Sequence, residues 1–565
     1  MRWTLKPKPE QSKVRSLQEV LKVDTITATL LVQRGIETYD QARHFFRPEL
    51  NELHNPFLMK DMDIAVSRIE RAMSEEESIM VFGDYDVDGT TAVALLSTFL
   101  DDIHDRVTTY IPDRYDEGYG ISIKGIDYAD DNDISLIIAL DCGIKAIDQV
   151  EYAKSKGIDF IICDHHRPGE NLPDAIAILN PKREDCNYPY KELCGCGVGF
   201  KLIQAITEKR GETVEDIGFY LDLVATAIAA DIVPMTGENR ALAHYGLQVI
   251  NSSPRPGIKA LLASKKKDQY NITDVVFTLA PRINAAGRMK HGLYAVDLLR
   301  ETDYSSAVIA AEAIDGFNTE RRELDKMITE EAINIIISAG EEECDSTVVY
   351  KENWHKGVLG IVASRLIETY YRPTIVLTLS NGLITGSVRS VKGFDVYNAL
   401  EKCKSHLDRF GGHKYAAGLT LKPENLSAFK TDFEEVVAST IQADQKIPEI
   451  TIDMEIEFDE ITPKLHRILS QMAPFGPGNM TPVFMSRNLA DTGYAKQVGE
   501  LANHLKARFV HGHSIKKLGA IGFGLGKKME LLRNRKKVMA AYSIDENHWN
   551  GRIDLQLKLR DLKST

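Results

Sequence analysis

Cysteine is scarce in this sequence: seven in 565 residues. A small odd number excludes a disulfide framework and fits free thiols in a reducing cytosol. Long apolar runs are missing too. No stretch reaches the ~18–20 residues of a membrane span. The first residues, "MRWTLKPKPEQSKVRS", contain no apolar core of a secretory signal. A cytoplasmic protein with no membrane partner is therefore expected. Low-complexity segments and repeats of fixed period are absent. What remains, 43% hydrophobic and 27% charged, is ordinary globular composition. The length suggests roughly three or four domains, each with material for its own core.

Positive charge is in short supply overall, with a net of −13, but it is unevenly spread. Residues 501–565 hold 14 Lys and Arg against 5 Asp and Glu, which leaves −22 on the rest. A basic C-terminal module on an acidic body permits nucleic-acid contact without requiring it, since a solvated basic face has the same composition.

The expected fold class is α/β. Residues 1–75 read as an N-terminal arm of helix-like and loop-rich stretches that wraps a domain. Over 76–300, short apolar runs ("SIMVF", "RVTTYI", "ISLIIAL", "DFIIC") alternate with helix-like segments. That pattern predicts a mostly parallel, doubly wound sheet. Residues 301–343 predict a long helical connector, apolar on one face. A second α/β domain is expected over 344–440. Short alternating runs over 447–565 predict a small β-barrel of the OB type, suited to nucleic acid.

Sites in parallel sheets gather at the carboxyl ends of the strands. "VFGDYDVDGT" sets Asp84, Asp86 and Asp88 at alternate positions behind such a strand. An acidic loop in solvent would need no matching residues elsewhere, yet Asp141 ends "IIALD", Asp164 and His165 lie in "CDHH", and Asp231 lies in "AADIVPM". Carboxylates and an imidazole collected at strand ends suit a pair of divalent ions, which would offset the repulsion among the acids and serve phosphoryl chemistry. The mixed ligand set favours Mn²⁺ over Ca²⁺, with Mg²⁺ second to Mn²⁺.

"GDYDVDG", "ALDCG", "DHH" and "ADIVPM" resemble the four motifs of the DHH phosphoesterase superfamily, and "GGHKYAAG" resembles the Gly-Gly-His motif of its DHHA1 domain. The order of motifs and "APRINAAGRM" are similar to the RecJ family of bacterial single-strand-specific 5′→3′ DNA exonucleases, over about residues 75–560. The resemblance implies Asp84, Asp86, Asp88, Asp141, His165 and Asp231 as metal ligands, with Asp141 bridging two ions. It places His166 by the scissile phosphate, and makes Asp141, His165 and His166 the catalytic set. It assigns Arg114, Ser387 and Arg389 to a pocket for the 5′-terminal phosphate. It also implies repair and recombination work on single-stranded DNA, as a monomer, beside a single-strand-binding protein and a helicase. One position departs: Phe82 stands where many superfamily members have a ligating His.

Other residues are readable on their own chemistry. Gly411 and Gly412 before His413 allow close backbone approach to a phosphate; a helix cap and turn is the alternative. Arg282, Asn284 and Arg288 line a groove between the α/β domains or staple them together. "LGKKMELLRNRKKV" reads as a backbone-tracking patch, with Phe509 and Tyr542 as weak stacking candidates, since aromatics in small barrels are more often core. Cys163, Cys186, Cys194 and Cys196 lack the C-x-x-C spacing of a zinc site. Two rival functions are a phosphodiesterase for cyclic dinucleotides or short oligonucleotides and a non-catalytic DNA-binding scaffold. The large basic module opposes the first, and the full set of acids opposes the second.

Overall fold

The four apolar runs, joined by a fifth strand the sequence did not announce, form one sheet, every neighbour parallel, in the order Val107–Tyr110, Ser78–Gly83, Ile134–Leu140, Asp159–Cys163, Ala177–Leu179. Alternate side chains leave by opposite faces. Ile79, Val81, Leu136, Ile138, Leu140 and Ile161 enter one core. Met80, Phe82, Ile137, Ala139, Phe160 and Ile162 enter a second. Burial on both faces explains why the strands read as unbroken apolar runs. The chain adds the second strand on one side of the first and the third on the other. A crevice therefore opens between the ends of Ser78–Gly83 and Ile134–Leu140, where ligands bind in such sheets.

This computed structural model describes residues 1–512, 514–549 and 551–565. They divide into two units, Leu50–Ile447 and Met1–Glu49 with Pro448–Thr565.

In the first of these, the expected connector is a single helix, Tyr304–Ala339. Asp303 caps its start through the N–H of Ser306, and Gly340 at φ 67° ends it. At 36 residues it is about 54 Å long. Ala307, Ala311 and Ile314 pack into the parallel-sheet core. Ile328, Ala332 and Ile336 pack with Val349, Val362 and Leu366 of the next domain. That domain has a five-stranded mixed sheet in which Thr347–Tyr350 is the one strand joined in parallel and Arg409–His413 is the far edge.

In the other unit, strands Phe484–Asp491, Val538–Trp549, Arg552–Ser564, Lys517–Gly522 and His504–His511 pair in sequence, and the last pairs back to the first. The result is a closed five-stranded barrel, as the OB-type expectation requires. The N-terminal segment corrects the expected arm over 1–75. Strand Arg2–Leu5 pairs with Glu449–Ile452, and Val14, Leu17, Leu30 and Leu31 share a core with Phe458, Phe484 and Leu557. Helix Met62–Ser74 instead buries Ala65, Val66 and Ile69 in the parallel-sheet core. Amphipathic helices have no fixed partner in the sequence, and the two parts of the arm found different ones.

Candidate active site

The aspartates are held by different devices. Asp86 caps helix Val87–Asp101, accepting the N–H of Asp88 at 2.9 Å and of Gly89 at 3.1 Å. A Cβ on Gly89 would stand 2.4 Å from the carbonyl oxygen of Asp84, so only glycine permits this turn. Asp88, buried in the first helical turn, accepts the N–H of Gly195 at 2.6 Å and of Cys196 at 2.7 Å. These amides open helix Gly195–Lys209, whose N-terminus favours an anion. Asp141 follows its strand at φ 59°, with its N–H bonded to the Cys163 carbonyl at 2.9 Å. Asp231 ends helix Leu221–Asp231.

His165 gathers three of them. Its Nε2 lies 3.1 Å from Asp141, 3.7 Å from Asp88 and 3.7 Å from Asp231. Two sets of potential ligands meet at this point: Asp84 with Asp86 and Asp141, and Asp88 with His165 and Asp231, the ligand atoms in each lying within 4.8 Å of one another. Asp141 also groups with His165 and His166, so it stands between the two sets.

Without a cation this arrangement is costly. Burial and neighbouring carboxylates push Asp84, Asp88, Asp141 and Asp231 all upward. Both carboxylate oxygens of Asp84 and Oδ1 of Asp141 are buried with no hydrogen-bond partner. Burial, then the His166 charge, pushes His165 down to about 3, which keeps it neutral and able to ligate. Orphaned oxygens and a neutral imidazole fit a divalent pair.

Asp164, absent from the expected set, orients His166. It is buried, accepts His166 Nδ1 at 2.7 Å, and accepts the N–H of Ile144 at 2.9 Å and of His165 at 2.7 Å. Burial works against the His166 imidazolium, but the Asp164 hydrogen bond and charge lift it to about 9. Its Nε2 faces the Tyr119 hydroxyl at 3.2 Å. Gly195 was also hidden: a Cβ there would stand 2.5 Å from that of Asp141. The sequence signal was only a Gly-rich helix start. Phe82 is buried and stacks on Tyr110 with ring centroids 5.3 Å apart, so the Asp84 set is all carboxylate.

The expected phosphate-binding residues fare unequally. Ser387 and Arg389 lie on strand Leu383–Arg389, with Arg389 Nη1 donating to Ser387 Oγ at 3.0 Å. Arg114 lies over the Tyr85 ring at 4.7 Å. The Gly-Gly-His segment is an edge strand and hairpin rather than a helix cap, with Gly412 at φ 142°. Burial, then the charges of Arg389 and His166, hold His413 below its ordinary value. Arg288 donates to the Gly357 carbonyl at 3.0 Å. Arg282 is a correction. It binds Asp315 at 2.5 Å and the Thr278 carbonyl at 2.7 Å, stapling its helix to the connector. Asn284 lies half-buried in the same helix.

Phe509 and Tyr542 are fully buried core residues and offer no stacking face. Leu505, Ala507 and Phe509 alternate inward with Lys506 and Arg508 outward, a period the sequence already showed. Exposed Tyr494 is flanked by Lys496 and Arg508 at 5.3 and 5.6 Å from its ring centre, and Phe523 is exposed as well. Lys528 of the basic run is bonded to Asp561 at 3.1 Å. All seven cysteines are free, and none joins a potential metal group among the described residues. No described helix is long and apolar enough to cross a membrane.

Comparison with known proteins agrees with this geometry. The DHH family N-terminal domain matches residues 78–228, the DHHA1 domain 344–439 and the RecJ OB domain 452–561. The single-stranded-DNA-specific exonuclease RecJ of Bacillus subtilis is 37% identical over 99% of this chain and 70% of its own length. The chain belongs to the RecJ family. The Haemophilus influenzae RecJ is 32% identical over 90% of this chain and 91% of its own. The crystal structure of Thermus thermophilus RecJ with Mn²⁺ superposes with a TM-score of 0.86 at 27% identity, covering 100% of this chain and 80% of that one. The same RecJ solved with Mg²⁺ gives 0.80 at 27% identity, with 100% and 78% covered.

Proposed function

We propose that this RecJ-family protein is a metal-dependent exonuclease that removes 5′-mononucleotides from the 5′ end of single-stranded DNA. The observation that carries the reading is the pair of carboxylate sets meeting at Asp141, with buried oxygens that have no hydrogen-bond partner. Asp84, Asp86, Asp88, Asp141, His165 and Asp231 would hold two divalent ions, Mn²⁺ ahead of Mg²⁺. When bound, such a pair supplies positive charge at the scissile phosphate and makes water more acidic.

The chain's own groups do the rest. Asp86 and the amides of Gly195 and Cys196 fix carboxylate orientation before substrate arrives. Asp164 keeps His166 cationic, so His166 can contact a non-bridging oxygen or give a proton to the departing 3′ oxygen. Arg114, Ser387 and Arg389 suit the terminal phosphate, with the planar forks of the arginines matching its oxygens. A cleft between the two α/β domains too narrow for a duplex would account for strand choice. The basic barrel would follow the remaining strand. Cytoplasmic repair and recombination, as a monomer beside a single-strand-binding protein and a helicase, is the setting this activity suits.

The test is product analysis with Mn²⁺ on single-stranded DNA labelled at either end, on duplex, on RNA and on a cyclic dinucleotide. Mononucleotides from the 5′ end of single strands, lost in Asp141→Ala, are expected. Turnover of the dinucleotide alone would overturn the reading in favour of a small phosphodiesterase.

A further inference from the structure

Next to the Arg114, Ser387 and Arg389 group lies more positive charge than one terminal phosphate needs. Arg114, Arg288, Arg321, Arg389 and Lys356 form no ion pair among the described residues. Arg288 bonds only a backbone carbonyl, that of Gly357 at 3.0 Å. Arg321 gives Nη2 to Asn318 at 2.6 Å, while its Nε is buried with no partner. Lys356 Nζ lies 6.0 Å from the centre of the Tyr115 ring. Asp325, Asp86 and Asp113 act on Arg321, Arg288 and Lys356 from beyond ion-pair distance, and clustered cations without a direct partner stay costly unless an anion joins them. Burial, then the charges of Arg114, Arg389 and Arg321, drives Arg288 down to about 9 against the opposing charge of Asp86.

Room adjoins the charge. A cavity of about 600 Å³ is lined by Tyr115, His355, Lys356 and Thr378, and by Leu324 and Met327 of the long helix. It starts where the terminal-phosphate group stops. Tyr115 follows Arg114 in the chain and donates its hydroxyl to the Arg288 carbonyl. One helical turn past Lys356, a Cβ on Gly360 would stand 2.7 Å from Arg389 and 2.9 Å from Ser387. Arg321 lies three residues before Leu324, on the same helix face. Glu352 is the one acid among the lining residues, and it is exposed.

We propose that Lys356 and Arg321, with Arg288, form a second anion subsite for a polyphosphate, the β- and γ-phosphates of a 5′-triphosphate end held beside the terminal-phosphate pocket. This rests on the exonuclease reading above. The first cut then follows the ordinary balance. Water adds at the phosphorus of the second nucleotide, the 3′ oxygen of the first leaves with a proton, and the first nucleotide departs as a 5′-triphosphate.

The experiment uses the full chain with Mn²⁺ and one DNA sequence bearing a 5′-hydroxyl, a 5′-monophosphate or a 5′-triphosphate. Lys356→Gln and Arg321→Gln are compared with the parent, and nucleoside triphosphate is sought among the products. The expected result is a KM for the triphosphate end at or below that for the monophosphate end, with nucleoside triphosphate released. Each variant should raise the triphosphate-to-monophosphate KM ratio about tenfold, the loss of one charge-assisted contact. Inorganic tripolyphosphate, with free Mn²⁺ held constant, is the second arm. Competition by it that both variants weaken, without preference for the triphosphate end, would keep the subsite and assign it to a free anion. Poor use of the triphosphate end together with no competition would overturn the proposal, as would variants that leave both the ratio and the competition unchanged. Because the monophosphate and hydroxyl ends are read in parallel, failure of the exonuclease reading shows separately, as no product from any end.

Discussion

Asp141 is both the joint of the candidate metal centre and its most exposed liability. Its Oδ1 is buried without a hydrogen-bond partner, beside Asp84, Asp86, Asp88 and Asp231. Removing its charge should therefore help the metal-free fold while destroying function. Asp141→Asn is expected to raise Tm without metal, to lose the stabilisation that Mn²⁺ gives the parent, and to cut kcat by at least about 1000-fold; a melting curve with and without Mn²⁺ beside a turnover assay checks this. Gly195 offers a finer probe. The Cβ of Gly195→Ala would overlap Asp141, an overpacking that costs about 1–3 kcal/mol. Its activity loss should exceed what that destabilisation explains, because Asp88 also depends on the same helix start. Stability by urea titration and kcat measured side by side would separate the two effects.

Helix Met62–Ser74 and strand Ser78–Gly83 are tied by a charged knot. Buried Arg68 bonds Glu77 at 2.6 Å and Asp159 at 2.6 Å, and Glu77 also accepts the Ser135 hydroxyl. Burial tends to raise the Glu77 carboxyl, but Ser135 and then Arg68 outweigh it, so its net position is below the ordinary 4.5. A carboxyl lowered by folding stabilises the fold above its unfolded pKa, and that contribution is lost as pH falls through the folded value. Glu77→Gln is thus expected to cost about 2 kcal/mol at pH 7, with the difference from the parent shrinking as pH drops below 4.5; urea unfolding at several pH values reads it. At the other end of the connector, Asp325 is fully buried and pairs with Arg365 at 2.6 Å, joining Tyr304–Ala339 to Leu359–Tyr370. Because Arg365 is itself half exposed, Asp325→Ala should cost only about 1 kcal/mol, read by urea unfolding.

At the scale of the whole chain, the two ends belong together. Residues 1–49 put Val14, Leu17, Leu30 and Leu31 into the barrel core. A truncation to residues 1–447 would strand those side chains in water and should aggregate, whereas 50–447 should fold, as light scattering and circular dichroism would show. The basic surplus of 501–565, 14 Lys and Arg against 5 Asp and Glu, goes with the part removed. The 50–447 fragment should therefore bind single-stranded DNA more weakly and with a shallower dependence on salt than the full chain, measured by fluorescence anisotropy over a salt series.

The sequence by itself determined the parallel sheet, because strands buried on both faces must be continuous apolar runs. It also determined which acids sit at the carboxyl ends of those strands, since each follows directly on its run. It held enough to place Phe509 in the core, through the alternation of Leu505, Ala507 and Phe509. Only the tertiary structure decided the rest. That Arg282 is held by Asp315 depends on the packing of two helices 33 residues apart. That Asp164 serves His166, that Gly195 must lack a Cβ because Asp141 stands against it, and that residues 1–49 complete a barrel more than 400 residues away are facts of close approach between distant segments. Local pattern sets the face a side chain takes; the neighbour on that face is fixed only when the whole chain has packed.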